Sequence, residues 1–233
     1  HTSVTIKPMN TVLVLYLSIG SGHQVGAEAI ATALRSHSTA EVICRDPIAE
    51  HSTLLSSIMN TSNSLSAVII PRLYTRIWSG GQARSITNWT ARHGSVARRI
   101  RSVIDAIRPD AIVSTHAMPA LIAAYYKRAA EYKIIGTISD FGAHAYWPHS
   151  AIDRYCTPSH EAAADLIKRG IDSKRVSVTG LPIRSYPVPD RSTAPDGELK
   201  VLMLTGGRRS GPYQLASNLI ITALPELDRL ELP

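Results

Sequence analysis

Six short apolar segments limit what this chain can fold into. They are VLVLYLS (12–18), AEVICR (40–45), AIVST (111–115), KIIGTIS (133–139), RYCTP (154–158) and VSVTG (176–180), most of them rich in β-branched residues. The first, apolar at nearly every position, reads as a strand buried on both faces. Stretches of helical spacing lie between the strands. Val25, Ala29, Ile30, Ala33 and Leu34 share one helical face, and Val96, Ile100, Val103, Ile104 and Ile107 share another, stopped by Pro109. Residues 119–131 and His160–Arg169 read as two more helices, the latter closed by Gly170. Such alternation predicts an α/β fold with a parallel sheet covered on both faces, opened by a β-loop-α-β unit with a right-handed crossover.

Ligands of such sheets sit at the carboxyl ends of the strands. Here those ends are Ser18–His23, Asp46, Thr115-His116, Ser139–His144 and Thr179–Pro182. The first contains Gly20-Ser21-Gly22-His23, and glycine-rich turns from strand to helix often hold a phosphate. Gly20, Gly22 and Gly26 spell G-x-G-x-x-x-G, close to a dinucleotide loop. A nicotinamide site also needs an acid at the end of the second strand, where Asp46 stands. Against this reading, Pro47 follows Asp46, the third glycine is misplaced, and His23 lies where a pyrophosphate would pass. A tight strand–helix turn with no ligand is a second reading. The third, in which the histidine is the reactive group, rests on the rest of the chain.

Charge narrows the choice of partner. The chain carries a formal net charge of +7. Between 71 and 108 stand Arg72, Arg76, Arg84, Arg92, Arg98, Arg99, Arg101 and Arg108 against the single acid Asp105, so this segment matches the whole surplus. Tyr74, Ile77, Trp78 and Trp89 are interleaved with the arginines. A basic segment of this kind suits an anionic partner. Arginine alternating with tryptophan is the composition of a membrane interface, although a solvated helix face can look the same. No apolar run approaches the roughly 20 residues needed to span a bilayer. Cys44 and Cys156 have no metal-site spacing and fit a reduced, cytoplasmic protein. His144, His149 and His160 are spaced by five and eleven, which fits no standard metal motif, and no D-x-D is present; no metal is expected.

Residues 1–10 read as a leader or tag remnant before the first strand, and 11–183 as one domain. Within it, 50–95 has Leu54, Leu55, Ile58 and Leu65 at helical intervals, broken by Pro71 and Gly80-Gly81, and is expected to form helices and mobile loops. The stretch 184–198 has prolines and no periodicity and reads as a linker. LKVLMLTGG (199–207) then restarts the strand–turn–helix pattern, so 199–233 is expected to open a second, incomplete α/β domain.

Two stretches together carry a family resemblance. GSGHQVGAEAIATAL (20–34) resembles the amino-terminal glycine–histidine motif of monogalactosyldiacylglycerol synthases and processive diacylglycerol glucosyltransferases, in glycosyltransferase family 28. TISDFGAHAYWPHSAIDRYCTPSHEAAADLIKRGIDSKRVSVTGLPIR (137–184) resembles a longer and more specific block of the same family. GGRRSGP (206–212) is similar to the opening loop of its second domain, with Arg208 where the family has an acid and Arg209 where it has a glycine.

The resemblance implies a GT-B fold of two Rossmann-like domains. It also implies an inverting glycosyltransferase that moves galactose or glucose from a UDP-sugar to diacylglycerol, with no cofactor. Nucleic acid is not an expected partner. The implied place of action is the inner face of the plasma membrane, on anionic lipid, with docking through Arg72, Arg76, Trp78, Arg84, Trp89 and Arg92. An inverting transfer needs a base for the acceptor hydroxyl and stabilisation of the departing diphosphate. His23 is the candidate for the first role, as base or as the group that positions the hydroxyl. Gly20, Ser21, Gly22, Asp140, His144 and Trp147 are expected on the acceptor side. Asp140 can orient His23 or His144, or cap a turn. Gly206, Gly207, Arg208 and Gly211 are expected on the donor side. A transferase acting on a polyprenyl-linked sugar, as in peptidoglycan synthesis, is an alternative. A non-catalytic lipid- or nucleotide-binding module is another, since the 233 residues with only the start of a second domain are not expected to turn over by themselves.

Overall fold

The computed structural model describes residues 10–18, 21–50, 88–127, 132–140, 142–143, 146–184 and 218. The chain divides into two compact units, His1–Ser185 and Tyr186–Pro233. All elements below belong to the first unit. The linker after residue 184, the glycine loop at 206–212 and residues 71–87 of the arginine–tryptophan segment lie outside the described residues.

Six strands form one sheet: β1 Thr11–Leu15, β2 Glu41–Arg45, β3 Ala111–Ser114, β4 Lys133–Thr137, β5 Arg154–Thr157 and β6 Val176–Val178. Their order is β2-β1-β3-β4-β5-β6, and every pair is parallel. Each strand falls on one of the six apolar segments. The α/β fold with a parallel sheet, expected from the sequence, is the fold of this unit. Four described helices accompany the strands: α1 Ser21–His37, α2 Ser95–Ile107, α3 Ala117–Tyr126 and α4 His160–Lys168.

The continuous apolar run of β1 has a direct explanation. Its side chains alternate between two cores. Leu13 and Leu15 join Ile112, Ile134 and Tyr155 on the face that α2 and α3 cover. Val12 and Val14 join Val42, Ala111 and Val113 on the face that packs against Ala27 and Ala31 of α1. Fully burying each of these larger side chains is worth about 1.5–3 kcal/mol.

Helix ends follow local chemistry. Ser159 caps α4 by accepting from the Ala162 N–H, and Gly170 (φ 91°) follows that helix in the left-handed region, with Ile171 N–H reaching back to Leu166 O at 3.1 Å. Arg108 ends α2 at φ 51°, immediately before Pro109. Two helix bounds differ from expectation. α1 starts at Ser21, so Ser21, Gly22 and His23 are its first turn and not a loop ahead of it. α3 runs 117–126, because His116 caps it two residues earlier than apolar spacing suggests.

Candidate acceptor-side site at the sheet switch point

β1 has β2 on one side and β3 on the other, so the strand order reverses between β1 and β3. Connections leave the sheet in opposite directions at such a point and open a crevice beyond the carboxyl ends. His23 stands at that crevice, in the first turn of α1. Its Nδ1 is 2.7 Å from the carbonyl oxygen of Thr115, the residue after β3. A carbonyl only accepts, so Nδ1 must carry the proton, and the lone pair of the neutral ring is on Nε2. Ser139 Oγ, two residues past β4, lies 3.0 Å from the same Nδ1. The Thr115 hydroxyl donates to the His23 carbonyl at 2.8 Å, locking helix and strand end in both directions.

His116 completes the cluster. Its ring meets that of His23 edge to face at 4.7 Å. Its Nδ1 accepts from the Met118 N–H at 3.1 Å, capping α3. Neutral His116 therefore keeps its proton on Nε2, the opposite tautomer to His23. One ring, one hydroxyl and one carbonyl, from the residues that follow β3 and β4, thus fix a histidine whose Nε2 suits proton abstraction from a hydroxyl.

The structure places the other expected residues unevenly. Ser21 and Gly22 are exposed in the same turn, and a Cβ added to Gly22 meets nothing within 4 Å. Asp140 is half-buried, one residue after Ser139. Gly20 and His144 lie outside the described residues. So do Arg72, Arg76, Trp78, Arg84, Gly206, Gly207, Arg208 and Gly211. Trp89 is 65% exposed, and Arg92, also exposed, stacks over Tyr125 at 4.3 Å. Trp147, expected to face the acceptor, is a core residue at 1% exposure. Its ring covers Gly136 of β4, where an added Cβ would come within 2.8 Å of it, so the ring has no face open to a ligand. The carbonyls of Trp147 and His149 both lie within reach of the Tyr155 hydroxyl, at 3.0 and 3.2 Å. Burial pushes the Tyr155 phenol up to about 12, so it remains a donor at any ordinary pH.

The nicotinamide reading fails on two residues. Asp46 is buried, and its carboxylate accepts from the N–H groups of Ser18 (2.7 Å), Ile48 (2.9 Å) and Ala49 (3.0 Å). It closes a turn and is not directed at a ribose. Gly26 lies inside α1, where a Cβ would be 3.2 Å from Pro182 Cγ, so this glycine serves helix packing. No motif singles out Thr115, His116 or Ser139. The strand-end rule pointed to all three, but the decisive acceptor is a main-chain carbonyl that no side-chain pattern reveals.

Among the described residues no helix is long and apolar enough to cross a membrane, and no three His, Cys, Asp or Glu side chains cluster as a metal site would require. Curated relatives include proteins named processive diacylglycerol beta-glucosyltransferase. Those of Bacillus thuringiensis (strain Al Hakam) and Bacillus cereus (strain AH187) are each 24% identical over 177 residues, which is 75% of this chain and 45% of theirs. The chain thus spans less than half the length of the relatives it matches. Among solved structures, the S. aureus MnaA–UDP co-structure aligns with a TM-score of 0.45 at 17% identity, over 75% of this chain and 46% of that one. The sequence model describing monogalactosyldiacylglycerol (MGDG) synthase matches residues 23–183. That match begins at the histidine held in the crevice and runs through every strand but the first, and the chain belongs to the monogalactosyldiacylglycerol synthase family.

Proposed function

We propose that this chain is the acceptor-side part of an inverting glycosyltransferase that moves galactose or glucose from a UDP-sugar to diacylglycerol at a membrane surface. The observation that carries the reading is the tautomer of His23. Held through Nδ1–H on the Thr115 carbonyl, the ring presents a basic Nε2 at the switch-point crevice. As the acceptor hydroxyl attacks the anomeric carbon, Nε2 takes its proton, and the carbon–oxygen bond to the diphosphate breaks on the opposite face. Ser139 and His116 restrict the ring, which lowers the entropy cost of that geometry. Ser21, Gly22 and Asp140 line the approach of the acceptor, together with Gly20 and His144. The departing UDP is taken by the glycine loop that contains Gly206, Gly207, Arg208 and Gly211. Turnover requires this unit joined to a complete nucleotide-sugar-binding domain.

Family membership and the names of the Bacillus relatives support the lipid acceptor. Exposed Trp89 and Arg92 support docking on anionic lipid, with Arg72, Arg76, Trp78 and Arg84 on the same segment, at the cytoplasmic face of the membrane. The test is a transfer assay with labelled UDP-galactose and UDP-glucose on diacylglycerol, using a protein of the relatives' full length. His23→Ala is expected to lower kcat by about 10²–10⁴-fold while the melting temperature stays within a few degrees. Wild-type turnover in that variant would remove His23 from the chemistry.

A further inference from the structure

The opposite end of the sheet carries a second candidate site. A groove of about 550 Å³ is lined by Lys133, Ile135, Asp153, Arg154, Lys174 and Arg175. Lys133 and Arg154 are the first residues of β4 and β5, and Lys174 and Arg175 directly precede β6. From Lys133 to Ser139 is six residues, about 20 Å along an extended strand, so the groove is well separated from His23.

Four cations line it against one carboxylate, and that carboxylate is engaged. Asp153 accepts from Lys127 Nζ at 2.6 Å, Lys133 Nζ at 3.2 Å and the Ile134 N–H at 2.9 Å. Asp172, on the turn beside the groove, accepts from the Lys174 N–H at 2.9 Å. Both arginines are anchored on main-chain oxygens. Arg154 donates to the Lys174 carbonyl, and Arg175 donates to the carbonyls of Ser150 (3.1 Å) and His149 (3.3 Å). Each anchor uses one nitrogen of a guanidinium that has five N–H donors, so the others are pre-positioned for an acceptor. Compensation of helix dipoles does not account for the cluster. Cations in the last turn answer a helix carboxyl end, as Lys168 does on α4, whereas these four stand at strand starts and on a three-residue turn.

We propose that this groove binds a phosphate-bearing anion. Converging arginine forks and lysine point charges suit an oxyanion with several acceptor oxygens better than a single carboxylate. The ligand can be a free phosphate compound or a lipid headgroup. Contacts lead from the groove to the exposed tryptophan: Arg175 bonds the His149 carbonyl, the His149 ring meets Tyr125 edge to face at 4.8 Å, and Arg92 lies on Tyr125, three residues from Trp89.

The test titrates the 233-residue chain with inorganic phosphate and pyrophosphate by calorimetry. In parallel the chain is floated with phosphatidylcholine vesicles with and without phosphatidic acid. Lys174→Glu, on an exposed turn, is expected to weaken binding of at least one phosphate-bearing probe about tenfold. Arg45→Glu makes the same charge change at the far edge and opposite end of the sheet and is expected to leave binding within about twofold. Arg154→Gln provides a second variant with a smaller charge change. Response to the soluble anions assigns a free ligand, and response to phosphatidic acid vesicles alone assigns a headgroup. Absence of binding to every probe overturns the proposal, as does equal loss in Lys174→Glu and Arg45→Glu, or no loss in Lys174→Glu.

Discussion

The two ends of the sheet solve opposite problems with the same backbone. At the carboxyl end, around His23, the contacts run among two carbonyls, two hydroxyls and two imidazole rings. At the amino end the groove is built of full charges. Chain direction accounts for part of the contrast. α1, α3 and α4 all start at the carboxyl end, so their positive amino termini gather there and supply a favourable potential for an anion without cationic side chains. The amino end receives the negative helix termini, and a basic site there has to be made from lysine and arginine. A parallel α/β unit can therefore build a crevice of carbonyls, hydroxyls and imidazoles at one end of its sheet and a lysine- and arginine-lined groove at the other.

The comparison breaks most sharply at Asp153. Asn at this position leaves Lys127 and Lys133 without their shared anion and is expected to cost about 1–2 kcal/mol, seen as a lower urea midpoint at pH 7 with transfer activity of the full-length enzyme unchanged. Burial alone would raise the Asp153 carboxyl above its ordinary 3.8, but hydrogen bonds from Lys127, Ile134 N–H and Lys133 outweigh that and hold it below. A lowered folded value means that this stabilisation is present above about pH 4 and disappears as the pH falls through the folded value. The difference in midpoint between wild type and Asp153→Asn should accordingly shrink on acidification; a gap that widened would reverse the sign of the argument. Ser139→Ala should act at the other end only. Loss of one partner of a doubly held Nδ1 predicts a fall in kcat of about three- to tenfold with an unshifted melting temperature. A drop in stability with unchanged kcat would make Ser139 merely structural. Gly22→Ala is the smallest change. With open space around the new Cβ, helix propensity predicts a gain of about 0.5–1 kcal/mol. If the glycine is there for close approach of an acceptor, KM rises in this more stable variant; equal kinetics would leave Gly22 without a binding role.

Much of this was legible in the residues. All six strands announce themselves by short apolar runs, most of them β-branched. For those in the middle of the sheet the reason is burial on both faces, which leaves no polar position to blur the pattern. The start of α1 was not legible. Ser21-Gly22-His23 has neither helix propensity nor apolar spacing, and the helix there is imposed by His23 and Thr115 bonding each other across the crevice. Family likeness puts Trp147 on the acceptor side, whereas Gly136 in KIIGTIS carries the better signal. A glycine inside a strand often marks a close neighbour, and the neighbour is that ring. Lys133, Arg154, Lys174 and Arg175 are dispersed over 43 residues of sequence and never look like a basic cluster until the strands align their starts.

The last described residues of the first unit have a mechanical consequence. Pro182 sits against Gly26, and Arg184 grips Glu28 at 2.6 Å, so the chain leaves this unit fastened to the helix that begins with His23. Any pull on the polypeptide after Ser185 therefore loads α1 before it loads the sheet. The weak, half-exposed Arg184–Glu28 pair is the part that yields first: a fuse between whatever follows and the position of the histidine.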